Sequence, residues 1–301
     1  MARTIIVGLD GSLESRAAAE WAAREAALRQ QPVKLLNVRP PVPEPMAQAP
    51  LLGAETHRHW SERIPREAAE GLRLRHPGVE VTTEQRAGTA AEVLLEAARD
   101  AELLVLGSRA LSGPAGFLIG SVGQSVVAHA EVPVILVRAG EQAADEHVKD
   151  PAGIPSAATG FRPVVLGLDT DSPDDTVITF AFEEAGRRGA ALTVVTGWNL
   201  PLSYGYSLAA GVDLREDFAG EQAAALTEAL LPWREKYPDV KVTEVSRFGS
   251  PANHLIDAAC DASLVVVGRR VRRSPFGVHI GAVAHAVMHH ATTPVAVVAH
   301  D

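Results

Sequence analysis

The chain repeats itself, and that repeat limits the folds open to it more than any other feature. The block "RTIIVGLDGS" (3–12) returns as "RPVVLGLDTD" (162–171), and "EVPVILVRA" (131–139) returns as "TTPVAVVAH" (292–300). Between them, "RAGTAAEVLLEAARDAELLVLGSR" (86–109) returns as "RFGSPANHLIDAACDASLVVVGRR" (247–270), with about half its positions identical. The order is preserved, so this is a duplicated domain and not a stack of short units. Each copy alternates short β-branched or Leu-rich runs with longer helical patterns, which predicts an α/β fold with a largely parallel sheet covered by helices on both faces. Strands are predicted near 4–9, 33–38, 79–85, 102–107 and 133–138, and again near 163–168, 191–197, 240–246, 263–268 and 294–299. Helices are predicted near 13–30, 56–75, 90–99 and 121–130, and near 174–188, 213–236, 251–259 and 282–290. The stretch 139–160 mixes Pro, Gly, Ala and charge without periodicity, as a linker does. The expected organisation is domain 1 over 1–140, a linker over 141–160 and domain 2 over 161–301.

With 301 residues, 47% of them hydrophobic, there is material for two cores. The net charge of −9 gives no general electrostatic reason to bind nucleic acid or an anionic membrane. The single cysteine, Cys260, forms no intrachain disulfide, and within "LIDAACDA" it reads as a small helix-packing residue. In "MARTIIVGLDGS" Asp10 interrupts a very short apolar run, which is not the pattern of a signal peptide. No window approaches the roughly 20 apolar residues that span a bilayer. The expectation is a soluble cytoplasmic protein with neither nucleic-acid nor membrane partners.

In open parallel sheets, ligands bind beyond the carboxyl ends of the strands, near the point where the chain switches direction. Asp10 ends the first strand, and two readings stand: a carboxylate at the rim, or an N-cap for the first helix, which the spacing favours. Val38 ends the second strand as an apolar edge for a base or as ordinary packing. The stretch "LGSRALSGPAGFLIGSVG" (106–123) leaves the fourth strand at Gly107 and is punctuated by Gly113, Gly116 and Gly120 before the next helix. Glycines admit close backbone approach. The N–H groups of Ser121, Val122 and Gly123 point outward at that helix start, where an anion is favoured by the dipole. The Ser121 hydroxyl and the Arg109 charge can add to a phosphate site. The alternative is a plain Gly/Pro/Ser connection. Neither G-x-x-x-x-G-K-[ST] nor a G-x-G-x-x-G after the first strand occurs.

Gly107-x-x-Ala110, nine residues, then Gly120-Ser121 resembles the G-x2-G-x9-G-[S/T] nucleotide-binding pattern of universal stress proteins, and "VGLDGS" and "VPVILV" match at either end. The resemblance covers both copies. It implies two domains of the adenine nucleotide alpha hydrolase-like type, each a five-stranded sheet of order 3-2-1-4-5, and an ATP ligand with or without Mg²⁺. It places Asp10 at the adenine or ribose, Val38 at the base, and Gly107, Arg109, Gly120, Ser121 and Val122 around the phosphates. Leu9, Leu106, Ala110 and Gly123 complete the expected site. A weaker second site is expected at Asp169, Gly197, Gly268, Arg270, Gly281, Ala282 and Val283. Copy one departs from the pattern at Ala110, where a methyl is costly if the backbone there needs a positive φ. Copy two carries Val271 at that place, Ala282 in place of the Ser121 hydroxyl, and Gly197 in place of Val38. Its "RRVRR" (269–273) offers phosphate-attracting charge, or equally a solvated basic loop.

In that family the last strands commonly pair across a dimer. The resemblance therefore implies that "PVILV" and "PVAVV" pair within this chain as a pseudo-dimer, and that two chains form a homodimer. The function implied is nucleotide-dependent sensing or regulation in a stress or dormancy response. No residue presents itself as a base for water, so hydrolysis is at most slow. The alternatives are an interaction scaffold that works without nucleotide and an adenylate-forming enzyme, whose phosphate motif is not found.

Other groupings carry less. His285 and His289 stand four apart, with His290 adjacent, but no acid or cysteine completes a metal set, so no metal site is expected. "GSR" at 107–109 lacks the G-x-S-x-G elbow. Asp174/Asp175 and Glu183/Glu184 read as solvated helix charge. Trp198, Tyr204 and Tyr206 either cover a cleft or pack on the sheet rim, and the Pro-rich segment 39–55 is a second long loop.

Overall fold

The computed structural model describes residues 3–39, 54–110, 117–118, 120–154, 156–200, 214–271 and 280–301, with the backbone alone at 54–62, 109–110, 117–118 and 214. The described residues form two compact units, 3–143 and 144–271 with 280–301. Unit 1 runs β1 (Thr4–Gly8), α1 (Leu13–Arg29), β2 (Val33–Arg39), α2 (Ala54–Arg75), β3 (Val81–Ala87), α3 (Ala90–Ala98), β4 (Ala101–Ala110), β5 (Phe117–Leu118), α4 (Ser121–His129) and β6 (Val134–Arg138). Unit 2 runs β7 (Val164–Gly167), α5 (Asp175–Arg188), β8 (Leu192–Trp198), α6 (Leu214–Lys236), β9 (Val242–Phe248), α7 (Pro251–Ala259), β10 (Leu264–Arg270), α8 (Ala282–His290) and β11 (Val295–His300).

Strand order is β3-β2-β1-β4-β6 in unit 1 and β9-β8-β7-β10-β11 in unit 2, all parallel, which is 3-2-1-4-5 twice. The apolar runs explain the burial on both faces: Ile5, Ile6, Val7 and Leu103 to Leu106 are all at most 5% exposed. In unit 1, α1 and α2 pack together on one face while α3 and α4 pack together on the other, and α5/α6 and α7/α8 repeat that division in unit 2. Full burial of each large side chain contributes roughly 1.5–3 kcal/mol.

One buried charge pair is repeated as well. Glu25 and Arg29 on α1 lie 2.5 Å apart and almost fully buried, and Glu184 and Arg188 on α5 repeat the same i,i+4 pair. Arg187 adds a second bond to Glu184 at 2.6 Å. The reading of Glu184 as solvated charge is therefore corrected: a partner one turn away makes burial of the carboxylate tolerable. Cys260 is corrected in the other direction, being exposed at the C-cap of α7 and not packed. The segment 141–160 holds its own structure, with a 3-10 turn over Ala143–Glu146, a bridge between His147 and Phe161, and His147 Nδ1 2.6 Å from the Thr159 carbonyl. Among the described residues no helix is long and apolar enough to cross a membrane.

Phe182 on α5 is fully buried, its ring stacked on Tyr237 at 5.4 Å. Phe182→Ala is expected to cost about 3–5 kcal/mol in urea unfolding, and a loss under about 1 kcal/mol would contradict this packing.

Candidate functional site

The carboxyl end of β1 is set by a polar clamp. The Leu9 amide donates to the Leu36 carbonyl at 2.9 Å, and buried Asn37 on β2 donates to the Leu9 carbonyl at 2.7 Å. Gln85 on β3 donates to Asn37 Oδ1 at 3.0 Å. Asn37 and Gln85 were not singled out from sequence; a polar residue inside the apolar run "VKLLNV" is the signal that points to them. They fix Leu9, and with it the direction of Asp10.

Asp10 does not cap α1. The N-cap is Ser12, whose hydroxyl accepts from the Ser15 amide at 3.1 Å, and Gly11 makes the turn at φ 87°. Asp10 Oδ1 instead accepts from the Ser12 amide at 3.0 Å and the Ser12 hydroxyl at 2.5 Å. Burial works to raise the Asp10 carboxyl, but these hydrogen bonds outweigh it and hold the group below the usual carboxylate range. An exposed anion is thus held at the end of β1.

On the neighbouring strand, Leu106 is buried and Gly107 lies beside Val137 of β6. A Cβ on Gly107 would come 2.4 Å from the carbonyl carbon of Glu14, so glycine lets the first turn of α1 rest on β4. β4 continues to Ala110, beyond its predicted end, and pairs antiparallel with β5 through Arg109/Leu118 and Ala110/Phe117. Part of the expected loop is therefore a hairpin. Ala110 is extended backbone that any residue adopts, so the expected φ penalty for its methyl does not arise. The side chains of Arg109 and Ala110, and Gly113 and Gly116 altogether, lie outside the described residues.

Gly120 is the N-cap of α4, with φ −61°, no side-chain cap and no described atom within 4 Å of where its Cβ would point. Ser121 and Val122 are exposed and Gly123 is half-buried. Val38 is half-buried in β2 beside Arg86 of β3. Asp10 therefore lies at the carboxyl end of β1, beside the point where strand order switches to β4, and among the described residues no side chain caps the α4 amides.

Unit 2 keeps this frame and changes its contents. Gly281 caps α8 at φ −58° and ψ 148°, close to the Gly120 values of −61° and 163°, and Ala282 and half-buried Val283 follow. Asp169 is exposed and accepts from the Asp171 amide at 3.1 Å. Gly197 is a packing glycine: a Cβ there would meet the Pro251 backbone nitrogen at 2.7 Å. Trp198 ends β8 and is not in a loop, with Phe218 and Phe248 edge-on at 5.4 Å each. Tyr204 and Tyr206 lie outside the described residues. Arg269, expected to attract phosphates, is 3% exposed in β10, where burial lowers its pKa. Arg270 donates to the Ser172 hydroxyl at 2.7 Å, while Arg272 and Arg273 lie outside the described residues. His285 and His289 have ring centres 4.4 Å apart, and among the described residues no three potential metal ligands gather.

The family model described as "Universal stress protein family" matches residues 1–138 and again 160–299. A universal stress protein of Mycolicibacterium smegmatis is 34% identical over 300 residues, covering 98% of this chain and 96% of its own. One of Mycobacterium tuberculosis is 33% identical over 314 residues, covering 97% and 96%. The crystal structure of a universal stress protein from Archaeoglobus fulgidus shares the fold over the whole of both chains, with a TM-score of 0.70 at 15% identity. The chain belongs to the universal stress protein family, as a tandem of two such domains.

Two glycines are expected to respond differently. Gly107→Ala drives a methyl into the α1 backbone and should lower stability by about 1–3 kcal/mol, whereas Gly120→Ala should stay within about 0.5 kcal/mol; equal thermal shifts would contradict the assignment. Ser12→Ala should raise the Asp10 pKa toward its ordinary value, read from the carboxyl carbon in an NMR titration. Because the folded pKa is depressed, Asp10 contributes stability above its unfolded pKa and loses it as pH falls through the folded value. Asp10→Asn should therefore flatten the acid limb of the stability profile.

Proposed function

We propose that unit 1 binds an adenine nucleotide, ATP with or without Mg²⁺, and that the chain acts as a nucleotide-dependent regulator in a stress or dormancy response. The observation that carries the reading is the start of α4. No described atom lies within 4 Å of where a Gly120 Cβ would stand, no described side chain caps the helix, and the dipole favours an anion there. Nothing in the described packing requires glycine at 120, in contrast to 107. A phosphate chain is an anion of the size and charge that such amides accept.

Asp10 suits the other end of the ligand. An ionised carboxylate accepts hydrogen bonds from a sugar hydroxyl or an amino group, and its fixed direction adds no ordering cost on binding. Val38 supplies the apolar edge for the base. The role we assign is nucleotide occupancy, with ATP hydrolysis at most slow. Unit 2, with Ala282 and its crevice side chains engaged by each other, binds more weakly.

Isothermal titration with ATP is expected to give about one tight site per chain, with affinity reduced at least about tenfold by Gly120→Val, since the branched side chain crowds the amides. Two equivalent tight sites would contradict the asymmetry. Binding unchanged by Gly120→Val with Ser121→Ala would contradict the site.

A further inference from the structure

Resting on that reading, we propose that Ser172, Asp174, Arg270 and His300 form an intrachain latch that holds the crevice of unit 2 shut and so decides which domain admits nucleotide. The crevice lies between the carboxyl ends of β7 and β10, where chain direction switches. Ser172 stands in the connection leaving β7, its amide 3.3 Å from the Asp169 carbonyl. Arg270 ends β10. Their 2.7 Å hydrogen bond spans the gap, and it engages the arginine that aligns with Arg109.

His300 closes the same place from β11. Aligned on their left-handed C-caps, Gln30 and Gly189, α1 has 17 residues and α5 has 14, so α5 starts about one turn later. In unit 1 that extra turn puts the Glu14 backbone over Gly107. In unit 2 the space over Gly268 is shared by His300, whose Nε2 would lie 2.9 Å from an added Cβ, and Val177 of α5, whose Cγ2 would lie 3.2 Å from it. His300 Nδ1 lies 3.1 Å from the Asp301 carbonyl and 3.5 Å from Asp174 Oδ2, and the other Asp174 oxygen caps α5 through the Thr176 and Val177 amides. The Val271 amide, at the place of the motif's second glycine, donates to the His300 carbonyl at 2.6 Å.

In unit 1 the side chain of Arg109, the counterpart of Arg270, lies outside the described residues, and the other positions are filled differently. Ser12 turns its hydroxyl to its own Asp10. Ala139 stands where the repeat places His300, and Ala110 pairs with Phe117 of the hairpin. The helix starts are otherwise alike, since Gly120 and Gly281 have nearly the same dihedrals and no described atom within 4 Å of an added Cβ. Loss of one hydroxyl at Ala282 removes a single hydrogen bond. The latch separates the two crevices more than the cradles do.

The test is isothermal titration of the full chain with ATP in four forms: unchanged, Gly120→Val, Ser172→Ala with His300→Ala, and all three substitutions together. The latch predicts that the triple variant binds ATP at least about tenfold more tightly than Gly120→Val alone, the effect of freeing the Arg270 hydrogen bond together with removing the His300 ring. Equal weak binding by these two forms overturns it. That comparison is independent of unchanged protein against Gly120→Val, which tests the unit 1 reading. Ser172→Ala alone removes one exposed hydroxyl and should keep the melting temperature within about 2 °C. In the Gly120→Val background it should give about a threefold gain, and no gain in a folded protein also overturns the latch.

Discussion

The candidate site in unit 1 depends on one close approach, that of the first turn of α1 to Gly107. Only a residue without Cβ lets a helix backbone rest on β4 at that distance. With the turn seated there, Ser12 caps the helix and braces Asp10 in the same gesture. Asn37 and Gln85 hold the preceding residue from the other side. The exposed carboxylate is thus the product of packing decisions made a few residues away. The hydrogen bonds from Ser12 hold its pKa below the usual carboxylate range against the effect of burial.

Duplication left the frame intact and altered how each copy fills it. Sheet order, helix layering, the buried Glu–Arg pair and the glycine N-caps are common to both units. What differs is the missing turn of α5 and the imidazole that takes its space. A helix shortened by one turn would leave a void beside Gly268, and voids are costly. Filling it with His300 restores packing and, by the account above, closes the crevice. One substitution at a strand end thereby serves stability and selectivity together.

Much of this was legible in the sequence, because uninterrupted apolar strands and capped helices leave periodic traces. The element boundaries fall within a few residues of expectation, and the strand order implied by the family resemblance is present twice. What stayed hidden depends on direction and distance. Spacing made Asp10 a cap, since Asp10 and Ser12 compete for the same turn and only geometry separates them. Glu184 looked solvated because Arg188 is invisible as a partner until both prove buried. Gly107 and Gly120 read alike in a motif, yet one is fixed by a helix backbone and the other by nothing described around it. Trp198 fell to the loop because β8 runs one residue past its apolar run.

Under the proposed function, unit 1 of this chain carries an adenine nucleotide. Mass spectrometry of whatever small molecule is released on denaturing protein purified without added nucleotide addresses it most directly. The account predicts an adenine nucleotide at up to about one per chain, lost on Gly120→Val as the site's amides are crowded. A different class of ligand, or the same yield of nucleotide from the Gly120→Val protein, would contradict it.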